Sequence, residues 1–418
     1  MIKGIKITLL ISIFGLSSCD LDDIMKDADT SVLTKTSIQE EQSEVEETVV
    51  ETTVVFTEEV ESIDTTNLTI ATTTSNFLRI MEEPALSSGI MTQIQNVEVN
   101  DMIINNFGNL VLVGQAFAKD GIMMEIDGFG DVINEGIIEL ENSTGSSYNE
   151  VKLVENDQYV VSGYTRDNRG TLNGGYGLFS NEGQALMPLS VVDLMNTQYI
   201  SGDQLDQFNY CTAINETSSD AMENVAYLAI WPSGAFAKSR DSKMTAALRD
   251  RSGNCTGIGW KRTPGNGEAA ILMSLSNEGT TLVGERFLNL SGSKNRPVQM
   301  HNLSNGNLML LVKTTAGAKM VEIDLQGHVI NEAPTFSAGV PVKMVQAADD
   351  TWLVLMTQDS ESFIVKVDGN GDAITSFELP TNNNPTGIAE LNDGSIAVAL
   401  NTKIGEMQTT LYRIIPEM

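Results

Sequence analysis

The chain has 418 residues, 41% of them hydrophobic, and carries 56 Asp and Glu against 25 Lys and Arg, a net charge of -31. It is long enough to bury a sizeable core, and its acidity excludes general binding to nucleic acid, whose phosphates it would repel. Three cysteines and two histidines leave little material for metal or thiol chemistry.

Lys3 and Lys6 precede an apolar run of about ten residues from Ile7 to Leu16, which has the proportions of a secretion signal and is too short to span a bilayer. Leu16-Ser17-Ser18 leads directly into Cys19. An apolar run, small residues and a lone cysteine resemble the lipobox of bacterial lipoproteins. That resemblance implies removal of residues 1–18 as the signal and acylation of Cys19 as the new N-terminus. The alternative is an ordinary cleaved signal with a chance cysteine. Several acyl chains, at about 0.8 kcal/mol per buried methylene, would hold the chain to a membrane. Asp20, Asp22 and Asp23 follow at once and resemble the acidic export signal that sends some lipoproteins to the cell surface. In other bacteria an Asp after the cysteine means inner-membrane retention. The expectation is an outer-membrane lipoprotein, surface-exposed rather than periplasmic.

From Asp20 to Asn67, fifteen acidic residues stand against Lys26 and Lys35, with many Thr, Ser and Val and no Gly or Pro. Such a stretch buries too little apolar surface to offset its ordering entropy, and like charges extend it. Residues 19–67 therefore read as a disordered tether, and 68–97 as a transition. Asp64-Thr65-Thr66 also resembles a short O-glycosylation motif.

From about residue 98 to 418 the chain becomes short β-type runs punctuated by Gly, Asn and Asp turns. The clearest copy runs from Val298 to Asn331, with the turn Ser304-Asn305-Gly306-Asn307 and then Gln326-Gly327. The second-turn glycines fall at 130, 183, 234, 279, 327 and 371, at spacings of 44 to 53 residues, the period of a four-stranded blade. With the C-terminal copy this resembles the tandem repeats of β-propellers, within the broad class of kelch and WD types. It implies an all-β fold, a seven-bladed β-propeller of four-stranded antiparallel blades after the tether. A monomer is expected. No regular Gly-His/Trp-Asp pair occurs, and Trp231, Trp260 and Trp352 are too few for a quinone-docking motif. The last copy shows three strands, so Phe77 to Met81 or Met91 to Val97 must supply the fourth and close the ring. A β-sandwich followed by a smaller β-domain is the competing architecture.

Cys211 and Cys255 read as equivalent positions of neighbouring blades that point the same way, which predicts two free buried thiols. Asp368, Asn370 and Asp372 have calcium-loop spacing, but Ala373 and Leu379 stand where Gly and Glu are needed, so a hairpin turn is expected there and in the related Asp127–Asp131 turn. His301 and His328 lie in separate contexts, and no Walker loop, nucleophile elbow or Cys/His cluster occurs. No catalytic residue, metal or cofactor is assigned.

Long segments between the second and third strands of blades 2 to 4, Tyr164 to Tyr176, Asn215 to Asn224 and Trp260 to Glu268, contrast with short ones at Thr314 to Lys319 and Thr357 to Ser362. Such insertions share one face and favour binding. They nominate Tyr164, Arg166, Arg169, Tyr176, Trp260, Lys261 and Arg262 as ligand-binding residues. Lys238 to Arg262 holds seven basic and two acidic residues, which suits an anionic glycan or an acidic envelope protein. The function expected is a noncatalytic binding, adhesion or scaffold module. The alternative is a carbohydrate-active hydrolase or lyase with paired carboxylates in the central funnel.

Overall fold

The computed structural model describes residues 68–71 and 88–416, apart from 141–142, 196, 207–208, 217–223, 265–266 and 403–406. The signal, Cys19, the acidic segment up to Asn67 and the Phe77 to Met81 strand candidate lie outside the described residues.

The described chain is a seven-bladed β-propeller of antiparallel four-stranded sheets, and not the β-sandwich alternative. The inner strands, Val97–Ile104, Ser143–Val154, Thr197–Gln204, Ser242–Arg249, Arg296–Asn302, Val340–Gln346 and Asn383–Glu390, define blades 1 to 7. Each inner strand packs against those of the two adjacent blades. Middle strands such as Leu110–Ala116 are buried almost throughout because blades cover both of their faces, which is why they read as continuous apolar runs. Outer strands such as Thr281–Phe287 splay into solvent and are mostly exposed. The second-turn glycines 130, 183, 234, 279, 327 and 371 all have φ between +75° and +95°, a conformation in which a side chain would be strained. That requirement is the origin of the periodic glycine signal.

Blade 7 joins the two ends of the propeller. Gly89–Gln95 pairs antiparallel with Gln408–Ile414, with Ile90 opposite Tyr412 and Ile94 opposite Thr409. This strand overlaps the Met91 to Val97 candidate, and Asn96, at φ 60°, turns the chain from it into blade 1. Leu68–Ala71 adds a fifth strand to the outer edge of blade 1, opposite Ile137 to Leu140.

The expectation of free thiols is corrected: Cys211 and Cys255 form a disulfide, with 5.1 Å between their Cα atoms. The two positions are not equivalent. Cys211 pairs with Asp203 and Cys255 with Arg249, while Tyr210 pairs with Gln204. Counted from the first turns, which close through Leu205 N to Asn209 O and Asp250 N to Asn254 O, Cys255 therefore corresponds to Tyr210, one residue before Cys211. A one-residue offset in a strand sends the side chain to the opposite face. Cys211 thus faces blade 4, Cys255 faces blade 3, and the bond staples the two blades together.

Candidate functional site

The propeller axis is the first place to look for chemistry, and a recurrent irregularity shapes it. Every inner strand carries a register shift at the same place, immediately before Asp101, Glu150, Ser201, Ala246, Gln299, Lys343 and Gly387 in blades 1 to 7. The side chain after the shift reaches the next blade. Asp101 Oδ2 accepts from Val151 N at 3.1 Å, and Glu150 Oε2 from Gly202 N at 3.1 Å. Ser201 Oγ accepts from Ala247 N at 2.9 Å, and Gln299 Oε1 from Met344 N at 2.6 Å. Ala246 and Gly387 have no side-chain acceptor to offer. The Lys343 ammonium instead meets the Asp101 carboxylate, bridging blade 6 to blade 1.

These axial charges are committed to the fold. Lys152 Nζ lies 3.7 Å from Glu150 and donates to Ala247 O at 2.5 Å. Burial raises the Glu150 carboxyl above its usual range. Burial alone pulls Lys343 down to about 7; the Asp101 carboxylate against it acts in the opposite sense and favours the charged form. His301 packs edge-on against Trp352 with Nε2 3.1 Å from Met344 O, and burial lowers it to about 4. His328 is exposed, on Asp324 at 2.7 Å.

At the end of the axis that carries the short turns, a cavity of about 270 Å³ is lined by Glu155, Asp203, Asp206 and Arg249 among others. Asp203 Oδ2 accepts from Arg249 N at 2.8 Å, and the Arg249 guanidinium lies 3.4 Å from Glu155. Among the described residues no three His, Cys, Asp or Glu side chains gather as a metal set. The Asp368 carboxylate is used by its own turn, accepting from Asn370 N at 2.8 Å and Asp372 N at 2.9 Å.

At the opposite end, the segments expected to be long loops are mostly extended hairpins. In blade 2 the strands Gln158–Asp167 and Leu172–Phe179 leave a short turn between them. Tyr164 is half-buried opposite Gly174, whereas Arg166 and Arg169 are exposed. Tyr176 is core, only 3% exposed, with its ring centroid 4.7 Å from Tyr210 and 6.3 Å from Tyr199. Burial pushes its hydroxyl up to about 12.

In blade 4, Cys255–Thr263 and Gly267–Leu275 likewise extend to the rim. Here Trp260, Lys261 and Arg262 come together with residues that their own segment does not reveal. Arg296, which begins the inner strand of blade 5, lays its guanidinium over the Trp260 ring at 4.6 Å. Its Nε and Nη2 donate to both carboxylate oxygens of Glu268. Arg296 holds the Glu268 carboxyl below its ordinary range, with Lys294 and Arg262 adding to the effect. Lys261 is paired with Glu285 at 2.7 Å, which also accepts from Ser239 Oγ at 2.5 Å. Arg262 and Lys294 are exposed beside this cluster. Arg166 of blade 2 and Trp260 of blade 4 are separated by blade 3, so the sequence-nominated residues belong to two places.

No family model matches the chain, and no curated protein matches it. Among solved structures it is similar to a streptogramin B lyase, at 14% identity and a TM-score of 0.52 over 80% of this chain and 97% of that one. It is also similar to a catalytically inactive virginiamycin B lyase from Staphylococcus aureus with quinupristin, at 9% identity and a TM-score of 0.52 over 82% of this chain and 100% of that one. A selenomethionine-substituted virginiamycin B lyase from the same organism gives 10% identity and 0.51 over 81% and 100%. At these identities the likeness is one of fold alone.

Proposed function

We propose that this chain is a membrane-anchored lipoprotein, acylated at Cys19 and displayed at the outer-membrane surface, whose propeller is a noncatalytic binding or scaffold module for a glycan or envelope protein. The observation that carries the reading is the state of the axis. Asp101 and Glu150 are bound to the next blade, and Lys152 and Lys343 to a blade beyond the next; together they serve as the fastening of the ring. The Cys211–Cys255 disulfide agrees with export, because such bonds persist in oxidising compartments. The Trp260 corner offers an anionic ligand two exposed cations, Arg262 and Lys294, around a guanidinium already fixed by Glu268. A fixed donor set loses less entropy on binding.

Glycan-array and pull-down experiments with wild type and a Trp260→Ala, Arg262→Ala variant test the binding reading. Loss of an acidic ligand is expected, and equal binding by both would remove this corner from consideration. Replacing Cys19 with Ala should move the chain from the membrane to the soluble fraction. The alternative, a hydrolase or lyase, is favoured by the carboxylates around the 270 Å³ cavity. Turnover of a polysaccharide by wild type and its loss in Asp203→Asn would establish that reading instead.

A further inference from the structure

The two turns of blade 1 at the short-turn end depart from the turns of the other blades. Phe107 and Phe129 each immediately precede a glycine of positive φ, Gly108 at +86° and Gly130 at +95°. They are 62% and 64% exposed, the highest values among the large exposed hydrophobic side chains of the described residues. The equivalent residue is polar in the first turns of blades 4 to 7, at positions 252, 305, 349 and 393, and in the second turns of blades 2 to 6, at 182, 233, 278, 326 and 370.

The polar residue at this place has a structural task in other blades. Asn305 donates to Glu322 at 2.9 Å, Asp349 accepts from Lys366 at 2.6 Å, and Asp393 pairs with Arg413. Each contact braces the turn against the third strand. In blade 5 Asn307 shares the brace on Glu322 at 2.6 Å; in blade 1 its equivalent Asn109, together with Asn105, carries the whole brace, the two donating to Glu125 Oε1 at 2.7 and 2.8 Å. Position 107 is thereby released from bracing and holds a phenyl ring in water.

Both rings stand on rigid supports. Asn105 Oδ1 accepts from Phe107 N at 3.0 Å and Asn109 N at 2.9 Å, and Asp127 Oδ1 from Phe129 N at 2.9 Å and Asp131 N at 2.7 Å. Blade 7 presses on the two turns from the side. A Cβ on Gly108 would lie 2.1 Å from Asn392, and one on Gly130 2.8 Å from Met91 O. The turns close successive strand pairs of one sheet, so the two turns are spaced by about two strand separations, roughly 10 Å. Asn106 bonds Asp157 at 2.5 Å, and Asn134 bonds Glu125 at 2.9 Å, beside them.

We infer that this end of blade 1 is a binding site for a neutral oligosaccharide, with Phe107 and Phe129 as two stacking platforms. An aromatic face takes up the C–H face of a sugar ring, while nearby amides and carboxylates exchange hydrogen bonds with its hydroxyls. Asp127 and Asp157 stand beside the rings, and Arg413, which reaches Gly128 O at 3.5 Å, is already paired with Asp393; these carboxylates repel an anionic bilayer or an acidic polysaccharide, which leaves an uncharged polyol as the matching ligand. The inference rests on the binding reading above but places this ligand at the opposite end of the propeller from the Trp260 corner, and without that corner's preference for an anion.

The test uses the full chain and neutral β-glucan, xylan, mannan and galactan oligosaccharides of graded length, with affinity electrophoresis and titration calorimetry as readouts. At least one series should bind, and Phe107→Ala and Phe129→Ala should each weaken it about tenfold. Phe129→Tyr should retain it, and Trp260→Ala, Arg262→Ala should leave it unchanged. Unaltered melting temperatures would separate these effects from unfolding. Absence of binding to every neutral series overturns the inference, as does binding that survives the double phenylalanine variant. Loss of neutral-glycan binding only on Trp260→Ala, Arg262→Ala would overturn the blade 1 site while sustaining the binding module. Capture by lipid vesicles or a protein in place of the oligosaccharides, abolished by the phenylalanine variants, would equally overturn it.

Discussion

Replacing Cys211 and Cys255 together by Ala tests the strongest departure from what the sequence suggests. The bond closes a loop with a sequence separation of 44 residues, and the chain-entropy model assigns a loop of that length about 4 kcal/mol of stabilisation at 25 °C. Both sulfurs are fully buried in a cluster with Ala213, Leu228, Ala247 and Met273, so the alanines leave a small void that adds to the loss. Urea unfolding of the oxidised wild type, the reduced wild type and the double variant, followed by fluorescence, gives the measurement. The midpoint should fall in both altered forms, by an amount equal to about 4 kcal/mol divided by the wild-type slope. Quantitative alkylation of two thiols in the native, never-reduced protein would refute the blade-to-blade staple. Coincident unfolding curves would refute the entropic argument even if the bond is present.

Three further outcomes follow from the charges. His301 has a folded pKa near 4, below its unfolded value of about 6.5, so its contribution to stability is complete above that value and is lost as pH falls toward 4; His301→Gln should recover about 2–3 kcal/mol at pH 4.5 relative to wild type, measured by urea midpoints at pH 7 and 4.5, and parallel losses in both proteins would contradict it. Lys343→Met leaves Asp101, 3% exposed, without its cation and should cost about 3 kcal/mol; thermal melts of wild type and the variant check this, and unchanged melting would contradict it. Hydrogen bonds from Lys366 and Thr351 hold the Asp349 carboxyl at about 2; its NMR titration should move up toward the ordinary carboxylate range in Lys366→Met. The site is exposed, so less than about 0.5 kcal/mol of stability should accompany the shift.

The blade period was readable because each second turn needs a residue at positive φ, and glycine fills all six of those places from Gly130 to Gly371. The free-thiol expectation failed on register, whereas Tyr176 lies in the core because its strand begins early. Cys211 and Cys255 stand 23 and 24 residues before Gly234 and Gly279, and that difference of one residue, visible in the sequence, reverses a side chain. Tyr176 looked like part of an insertion because the strand Leu172–Phe179 begins earlier than an apolar run would suggest; its first residues are Leu-Asn-Gly-Gly. Glycine there serves packing, since a Cβ on Gly174 would lie 2.0 Å from the Tyr199 ring. The partners of Trp260 were hidden for another reason. Arg296 lies 36 residues further on and enters only because the next blade's inner strand begins at the rim.

A closed ring of repeats separates what must be kept from what is free to vary. Around the axis, the post-shift residue of one blade binds the backbone of the next, so a change at Asp101 or Glu150 disturbs two blades at once. At the short turns the constraint is local: a turn needs its left-handed residue, and in blades 1, 5, 6 and 7 side chains of the first turn brace it to the third strand. Blade 1 shows the consequence, because Asn105 and Asn109 carry the brace without position 107, whose side chain is free of it. New surface chemistry therefore arises most readily on turns whose bracing has been transferred. Phe107 and Phe129 are such positions, each apolar where the equivalent turn residues of other blades are polar.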